Sequence, residues 1–261
     1  MTGRHANTRH INTQHIDTRH IDARHVNTRH VSAKGFTIVE LLVATAVLGI
    51  LLSALIFFTT STLRFSQIAR SQSDFIQELS DVTGYIGDNI RRAALVSTDG
   101  TVSVNGNSCD ISDTDNPCIV LVVPEDTGAG GGLNYLLLAY RVEPRTALPD
   151  AQRTDNAWAD DNTKIIREYR TTLCNGCALA AVAGGGTLNN PNVTGATELF
   201  VLDLLALNDD GTVLGSGDLP FRYDAATGEM TLTLRLQDRV RSQVRTYPQD
   251  APYTLSVFRR N

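Results

Sequence analysis

Residues 34–58 read KGFTIVELLVATAVLGILLSALIFF, and this apolar run sets the architecture of the chain. From Phe36 to Phe58 the only charged residue is Glu40. At ~1.5 Å of rise per residue, a helix of this length crosses the ~30 Å hydrocarbon layer of a bilayer. A secretory signal peptide would have a shorter apolar region of ~7–15 residues, followed by a cleavage site of small residues. The sequence therefore predicts a membrane-spanning helix over residues 36–58.

A basic, repetitive leader, residues 1–35, precedes the apolar residues 36–58. Histidines recur at every fifth position from His5 to His30, a spacing that matches neither the period of a helix nor that of a strand. Repeated imidazoles can bind metal, but side chains spaced in this way on a flexible chain are not preorganised for it. We therefore expect the leader to be a disordered low-complexity segment.

Charge is distributed unevenly along the chain. The leader is basic, whereas the whole chain has a formal net charge of −5, so the residues after the leader are acidic. Cations before the apolar run predict a cytoplasmic N-terminal side and export of everything after Phe58, although Arg64 and Arg70 weaken the asymmetry. The acidic body argues against bulk attraction to nucleic acid, because phosphate binding needs clustered cations.

A single acid within an apolar helix needs a physical explanation. A carboxylate costs about 2.5–3.5 kcal/mol at the centre of a membrane helix on insertion scales, and less near the interface. The hexapeptide GFTIVE at residues 35–40, preceded by Lys34 and followed by the apolar run, resembles the cleavage and methylation signal of type IV prepilins and type II secretion pseudopilins. The resemblance rests on the small Gly35, the aromatic Phe36, the acidic Glu40 four residues later, and a helix without other charges.

The resemblance implies a processing pathway and a role for each of these residues. A prepilin peptidase would cut after Gly35 and methylate the new amino group of Phe36, which removes the leader. Glu40 would form an assembly charge pair with the amino group of a neighbouring subunit, because an unpaired charge is costly in a medium of low dielectric constant. The implied partners are the peptidase, the inner membrane, and other major and minor pilins or pseudopilins; no cofactor is implied. The chain would be held in the inner membrane with its head exported, and later in a pilus or pseudopilus at the cell surface.

A helical pattern continues beyond Phe58 through residues 59–96. Apolar residues recur there at steps of three, four or seven, which predicts an amphipathic helix. They are Ile68, Phe75, Leu79, Val82, Ile86, Ile90 and Ala93. We expect one helix from about Thr37 to Ala94, in which Gly84 and Gly87 lower the helix propensity of the second half.

Residues 97–261 are predicted to form a β-rich, exported head. The predicted strands are 119–123, 135–142, 163–170, 198–207, 219–223, 230–236, 244–247 and 253–258. Clean alternation over residues 231–236 indicates an antiparallel sheet with one wet face. Such a sheet would cover the apolar stripe of the helix. The expected fold class is therefore α+β and pilin-like, with a long N-terminal helix packed on an antiparallel β-sheet head.

The size of the head refines the resemblance. The chain is similar to PilW-type minor pilins and J-type pseudopilins, with IREYR at residues 166–170 and the closing SVFRRN as further points of similarity. The implied function is that of a structural minor pilin, not an enzyme, which primes or caps assembly of a type IV pilus-like filament. Two alternatives stay open: a pseudopilin of a type II secretion system, and a membrane-anchored surface binding protein such as an adhesin or DNA receptor.

Four cysteines, Cys109, Cys118, Cys174 and Cys177, lie on the side predicted to be exported. An even number there indicates disulfides. Three pairings are open, and we favour Cys109 with Cys118 and Cys174 with Cys177, because each pair closes a short loop rich in turn residues. A redox role for the CxxC pair and a four-cysteine zinc site are the alternatives. A redox pair would favour a helix N-terminus and a zinc site would need two CxxC halves.

Sites for other chemistry are few in this sequence. Without the leader no histidine remains, so neither a Ser-His-Asp triad nor a histidine-ligated metal is expected, and no catalytic residue is assigned. Arg239, Arg241 and Arg245 would share one face of a continuous strand and are candidate contacts for DNA. Charged side chains that protect a sheet edge explain the same residues more simply.

Overall fold

The computed structural model describes residues 35–126, 133–153, 156–185, 187–207, 219–240 and 242–260. The predicted leader up to Lys34 and the candidate DNA contact Arg241 lie outside these residues. The chain divides into two compact units, Met1–Phe58 and Thr59–Asn261.

The described ranges contain one long helix, two short α-helices and a series of strands. The helices are α1 (Ile38–Arg92), α2 (Ala157–Asn162) and α3 (Leu179–Val182). The strands are β1 (Leu95–Ser97), β2 (Asp99–Val104), β3 (Asn107–Asp110), β4 (Cys118–Asp126), β5 (Leu133–Pro144), β6 (Thr163–Cys177), β7 (Ala183–Gly184), β8 (Thr187–Leu188), β9 (Asn192–Val193), β10 (Thr197–Ala206), β11 (Phe221–Asp224), β12 (Glu229–Leu234), β13 (Leu236–Val240), β14 (Gln243–Tyr247) and β15 (Tyr253–Phe258). Two short 3-10 helices, Arg145–Ala147 and Asp150–Gln152, lie between β5 and α2.

Helix α1 confirms the predicted long helix and ends at Arg92, two residues before the expected Ala94. It contains no proline, and Arg91 and Arg92 in its last turn interact favourably with the negative end of the helix dipole. In the first unit every described residue is exposed. The helix is long and apolar enough to cross a membrane, and its apolar part buries nothing against protein.

A seven-stranded antiparallel sheet forms the centre of the second unit, in the order β1-β4-β5-β6-β10-β13-β14. A second antiparallel sheet has the order β11-β12-β15. Smaller sheets are β3-β2-β9, in which β2 and β9 run parallel, and β7-β8. The head is thus mostly antiparallel and packs on a long helix, which confirms the predicted α+β, pilin-like fold.

Two hydrophobic cores lie on opposite faces of the seven-stranded sheet. Along β4, Ile119, Leu121 and Val123 belong to the first core, whereas Val120 and Val122 belong to the second, as the alternation of side chains in a strand requires. The first core joins helix α1 to the seven-stranded sheet and to β11-β12-β15. Each fully buried aliphatic side chain contributes about 1.5–3 kcal/mol relative to an exposed one. The amphipathic part of α1 is therefore an integral core element of the head.

Most predicted strands are present with shifted ends, and the single strand predicted over residues 230–236 is wrong. The predicted 253–258 coincides with β15, but the predicted 230–236 is not a single strand. The chain leaves the three-stranded sheet at Leu234 and enters the seven-stranded sheet at Leu236. Arg235 forms the corner, and its Nε donates a hydrogen bond to the carbonyl oxygen of Pro248 at 3.1 Å. Apolar and polar residues alternate across this corner without a break, so the sequence pattern does not show where the chain changes sheets.

Candidate functional site

The residues predicted to be processed lie just before helix α1. Gly35, Phe36 and Thr37 precede the first helical residue, and the side chain of Phe36 is 87% exposed. Apart from Gly35 and its two chain neighbours, no atom of the described residues lies within 4 Å of the position that a β-carbon on Gly35 would occupy. The bond between Gly35 and Phe36 is therefore accessible, and a small residue there leaves room for an enzyme to approach the backbone.

Thr37 and Glu40 cap the start of helix α1 reciprocally. The backbone N–H of Thr37 donates to Glu40 Oε2 at 2.9 Å, and the Thr37 hydroxyl donates to the same oxygen at 3.1 Å. The backbone N–H of Glu40 donates to Thr37 Oγ1 at 3.2 Å. This is a capping box, in which a Thr and a Glu three residues later satisfy backbone donors that the helix leaves unpaired.

The capping box gives Glu40 a role that sequence analysis missed. The signal was present, because Thr37-Ile38-Val39-Glu40 has the spacing of a capping box before an apolar run. Hydrogen bonds from Thr37 satisfy one carboxylate oxygen, and a carboxylate in the first turn is also favoured by the helix dipole. These contacts orient the carboxylate but leave its charge unneutralised.

Comparison with protein families identifies this segment. The family model described as the prokaryotic N-terminal methylation motif matches residues 32–56. The chain carries a prepilin-type methylation motif. No curated protein and no solved structure matches the chain.

The methylation motif, followed directly by the apolar part of α1, supports a type IV pilin-like or pseudopilin-like protein. It implies processing by a prepilin peptidase, anchoring in a membrane, and assembly with other pilins. The match is confined to the N-terminal segment and does not extend into the head.

Polar side chains connect helix α1 to the sheet in the second unit. The hydroxyl of Tyr85 donates to Glu168 Oε2 at 2.7 Å, and Arg170 forms a salt bridge with Glu168 at 2.8 Å. One turn further along the helix, Asn89 Nδ2 donates to the hydroxyl of Tyr140 at 2.8 Å. Burial, together with the nearby carboxylate of Glu168, raises the pKa of Tyr140 well above its usual range. These contacts fix the rotation of α1 on the sheet, because buried polar groups must keep their partners.

A buried arginine holds a second polar cluster on the sheet. Arg145 has a fully buried side chain, and its Nε donates to both carboxylate oxygens of Asp203 at 2.8 and 3.0 Å. Its Nη1 also contacts Asp160 of helix α2. Burial lowers the pKa of Arg145, but its hydrogen bonds and its attraction to the two aspartates outweigh burial and raise it. Arg145 therefore stays charged and ties β10 to α2.

Both disulfides of the favoured cysteine pairing are present. Cys109 is bonded to Cys118, and Cys174 is bonded to Cys177. The first disulfide is buried in the second core, whereas Cys174 and Cys177 are half-exposed at the end of β6. No free cysteine is found in the described residues.

The candidate DNA contacts do not form one surface. Residues 239–245 were expected in a continuous strand, but the chain reverses between Val240 and Gln243, and β13 and β14 form a hairpin. Arg239 lies opposite Val244, whereas Arg245 lies opposite Asp238, so the two arginines point to different faces. The continuous strand was wrong because a tight turn separates the two runs. DNA as a partner is not supported.

Metal ligands are not grouped in the part of the chain that the structure describes. Within it, no set of three or more His, Cys, Asp or Glu side chains has a geometry that could hold a metal ion. The four described cysteines are joined in disulfides.

Proposed function

We propose that this chain is a minor pilin of a type IV pilus-like filament, which primes or caps filament assembly. The observation that carries the proposal is the methylation motif at residues 32–56, continuous with a helix that can cross a membrane. The alternative function is that of a pseudopilin in a type II secretion system, because the same motif occurs in the subunits of both kinds of filament.

Processing creates the charge that assembly needs. Hydrolysis of the bond between Gly35 and Phe36 frees an amino group on Phe36, and methylation of that nitrogen leaves it able to carry a positive charge. The motif starts upstream of this bond and extends into the apolar helix. The capping box survives cleavage, because the Thr37 N–H belongs to the peptide bond that follows Phe36.

Glu40 supplies the opposite charge. Its carboxylate is held by Thr37 at the start of helix α1, and it forms no salt bridge within the described residues. In the apolar interior of a helical bundle, an uncompensated carboxylate would cost several kcal/mol. The freed amino group of Phe36 in a neighbouring subunit is the partner that the motif provides. Pairing of the two groups would set the register between subunits.

The head supports a position at an end of the filament. Its seven-stranded sheet is covered on both faces, by helix α1 with the β11-β12-β15 sheet on one side and by the second core on the other. A head with layers on both sides of its sheet needs more room than a single-layer head does. A subunit at the tip has fewer neighbours around its head, so this position accommodates the additional layer.

Two variants separate the charge of Glu40 from its capping role. Glu40→Gln keeps an amide oxygen that can accept from Thr37 but removes the charge, whereas Thr37→Ala removes the hydroxyl and keeps the charge. We expect Glu40→Gln to reduce recovery of the chain in sheared filaments by roughly tenfold or more, which corresponds to about 1.4 kcal/mol. Thr37→Ala should reduce it less, at equal amounts of protein in the membrane fraction.

The opposite ranking would contradict the proposal. If Thr37→Ala abolished incorporation and Glu40→Gln were harmless, Glu40 would act as a helix cap and not as an assembly charge. If neither variant nor wild type entered filaments, the chain would be a membrane-anchored protein of another kind.

A further inference from the structure

An open groove of about 570 Å³ lies in the second unit between helix α1 and the β13–β14 hairpin. The helix lines it with Arg64, Gln67 and Ile68, and the hairpin lines it with Gln243, Arg245 and Tyr247, among others. The ring of Tyr247, which lines the groove, stacks on Phe75 of α1 with ring centroids 4.7 Å apart. The groove thus combines two guanidinium groups and two amides with an apolar floor.

The charged side chains at the groove are those of Arg64 and Arg245, and Asp238 lies opposite Arg245 in the hairpin. Neither Arg64 nor Arg245 forms a salt bridge with a carboxylate among the residues that the structure describes. The body of the protein is acidic, so two cations facing one groove are a local exception. Guanidinium groups present fixed pairs of N–H donors that match the oxygens of phosphate and carboxylate groups. The groove is therefore suited to an anion.

The sequence around Arg64 places one side of the groove near a membrane surface. Arg64 follows Phe58, the end of the apolar run, by six residues. Leu63 and Phe65 on either side of it are 63% and 74% exposed. Exposed aliphatic and aromatic side chains next to a cation are typical of the interface between lipid and water, where the cation reaches the headgroups.

We propose that this groove binds the phosphate headgroup of an anionic phospholipid from the membrane that holds the apolar run. Arg64 and Arg245 contact the phosphate oxygens, and the amides of Gln67 and Gln243 donate to the oxygens that remain. Ile68 and Tyr247 pack against the glycerol backbone and the first methylenes of the acyl chains. The exposed Leu63 and Phe65 favour a lipid over a soluble anion, because a lipid surface would also cover these two side chains and a soluble anion would not.

The lipid site would hold the head at the membrane before assembly. Anionic lipids attract cationic side chains near the membrane surface, and each Lys or Arg raises the affinity about fivefold. This inference depends on one part of the proposed function, namely that the chain is held in a membrane before assembly. Lipid binding does not require processing, filament formation or the Glu40 charge.

Native mass spectrometry of the full-length chain in detergent micelles tests the site. The probes are phosphatidylglycerol and phosphatidylcholine with the same acyl chains, supplied at equal concentration. We expect wild type to retain phosphatidylglycerol preferentially, and Arg64→Gln and Arg245→Gln each to lower this retention about fivefold. Arg239→Gln is the matched control, because it removes the same charge from the other face of the same hairpin; its retention should equal that of wild type. Matching thermal unfolding curves show that each variant is folded.

Three results would overturn the inference. Equal retention of phosphatidylglycerol by wild type, Arg64→Gln and Arg245→Gln would exclude the groove. Binding of sn-glycerol 3-phosphate as tight as that of phosphatidylglycerol would identify a site for soluble phosphates. Arg245→Gln could also retain lipid as wild type does and yet no longer form chemical crosslinks to a neighbouring subunit. That result would identify the groove as a surface for an acidic protein. Loss of filament incorporation with normal lipid retention would contradict the proposed function and leave this site standing.

Discussion

Gly87 of helix α1 lies directly beneath Val257 of strand β15. A β-carbon added at Gly87 would be 3.2 Å from Val257 Cγ2 and 3.3 Å from Leu255 Cδ2, closer than ordinary van der Waals contact. Val257 is fully buried, and its branched side chain has few alternative rotamers. The absence of a side chain at Gly87 therefore allows the three-stranded sheet to approach the helix.

Substitution of the two helical glycines should have opposite effects. Gly84 has no atom within 4 Å of its β-carbon position, so Gly84→Ala should raise the free energy of unfolding by about 0.5–1 kcal/mol through helix propensity. Gly87→Ala gains the same propensity but overpacks the core, which typically costs about 1–3 kcal/mol, so stability should fall. Thermal or chemical unfolding of the two variants measures the difference. Equal stabilisation by both would show that β15 yields easily.

Glu78 should lower the free energy of unfolding of the head at neutral pH. Burial, and then the nearby charge of Asp203, raise the pKa of Glu78 above its usual value of 4.5. A carboxyl with a raised pKa in the folded state stabilises the protein below the unfolded-state pKa, and this contribution is lost as the pH rises through the folded-state pKa. Glu78→Gln should therefore raise the unfolding free energy at pH 7 by about 0.2–0.5 kcal/mol, the usual scale of a like-charge contact.

The benefit of Glu78→Gln should disappear at low pH, where both side chains are neutral. Asp74→Asn is the matched control, because Asp74 is an exposed acid one turn earlier on the same helix. If Asp74→Asn stabilised the head as much as Glu78→Gln did, general charge reduction would explain the effect. A gain that persisted unchanged at pH 3 would exclude titration of Glu78.

The fold was predictable where one periodicity extends over many residues. The apolar pattern from Phe36 to Ala93 sets helix α1 to within two residues at its C-terminal end. Strand β15 alternates over its whole length and was predicted with its observed ends. Strands β1, β2 and β3 were not predicted, because β1 has only three residues and because β2 and β3 contain Gly, Ser, Asp or Asn, which also form turns.

The site was predictable only in part, because some roles depend on contacts between distant segments. The methylation motif is a local pattern, and so is the capping box of Thr37 and Glu40. Arg145 could not be recognised, because arginine is mostly exposed and its partners come from other segments of the chain. Arg239 and Arg245 were placed on one face because the turn between them was not recognised.

The two disulfides should contribute unequally to stability. Cys109 and Cys118 are nine residues apart and buried, whereas Cys174 and Cys177 are three residues apart and half-exposed. A longer closed loop restricts the unfolded chain more, so replacing the Cys109–Cys118 pair with alanines should cost about 2–4 kcal/mol, and replacing the other pair should cost less. Unfolding in denaturant measures both. A larger loss for the Cys174–Cys177 pair would contradict this ranking.

Arg145 should be the least replaceable charged residue of the head. Arg145→Ala leaves Asp203 without its buried partner, and breaking a buried ion pair in this way typically costs about 3–5 kcal/mol. Arg222→Ala is the control, because Arg222 is exposed on β11, and a change there should stay within about 0.5 kcal/mol. Urea unfolding of both variants measures the two losses in the free energy of unfolding. A loss below about 1 kcal/mol for Arg145→Ala would show that water replaces the arginine.

The mass of the N-terminal peptide of the membrane-extracted protein tests the central claim most directly. Processing at the methylation motif predicts a mature chain that begins at Phe36, with one methyl group on its amino nitrogen and none of the histidine repeat. The same peptide should be absent from cells that lack the prepilin peptidase. A chain that begins at any other residue, or an unmethylated Phe36 in cells with an active peptidase, would contradict the account.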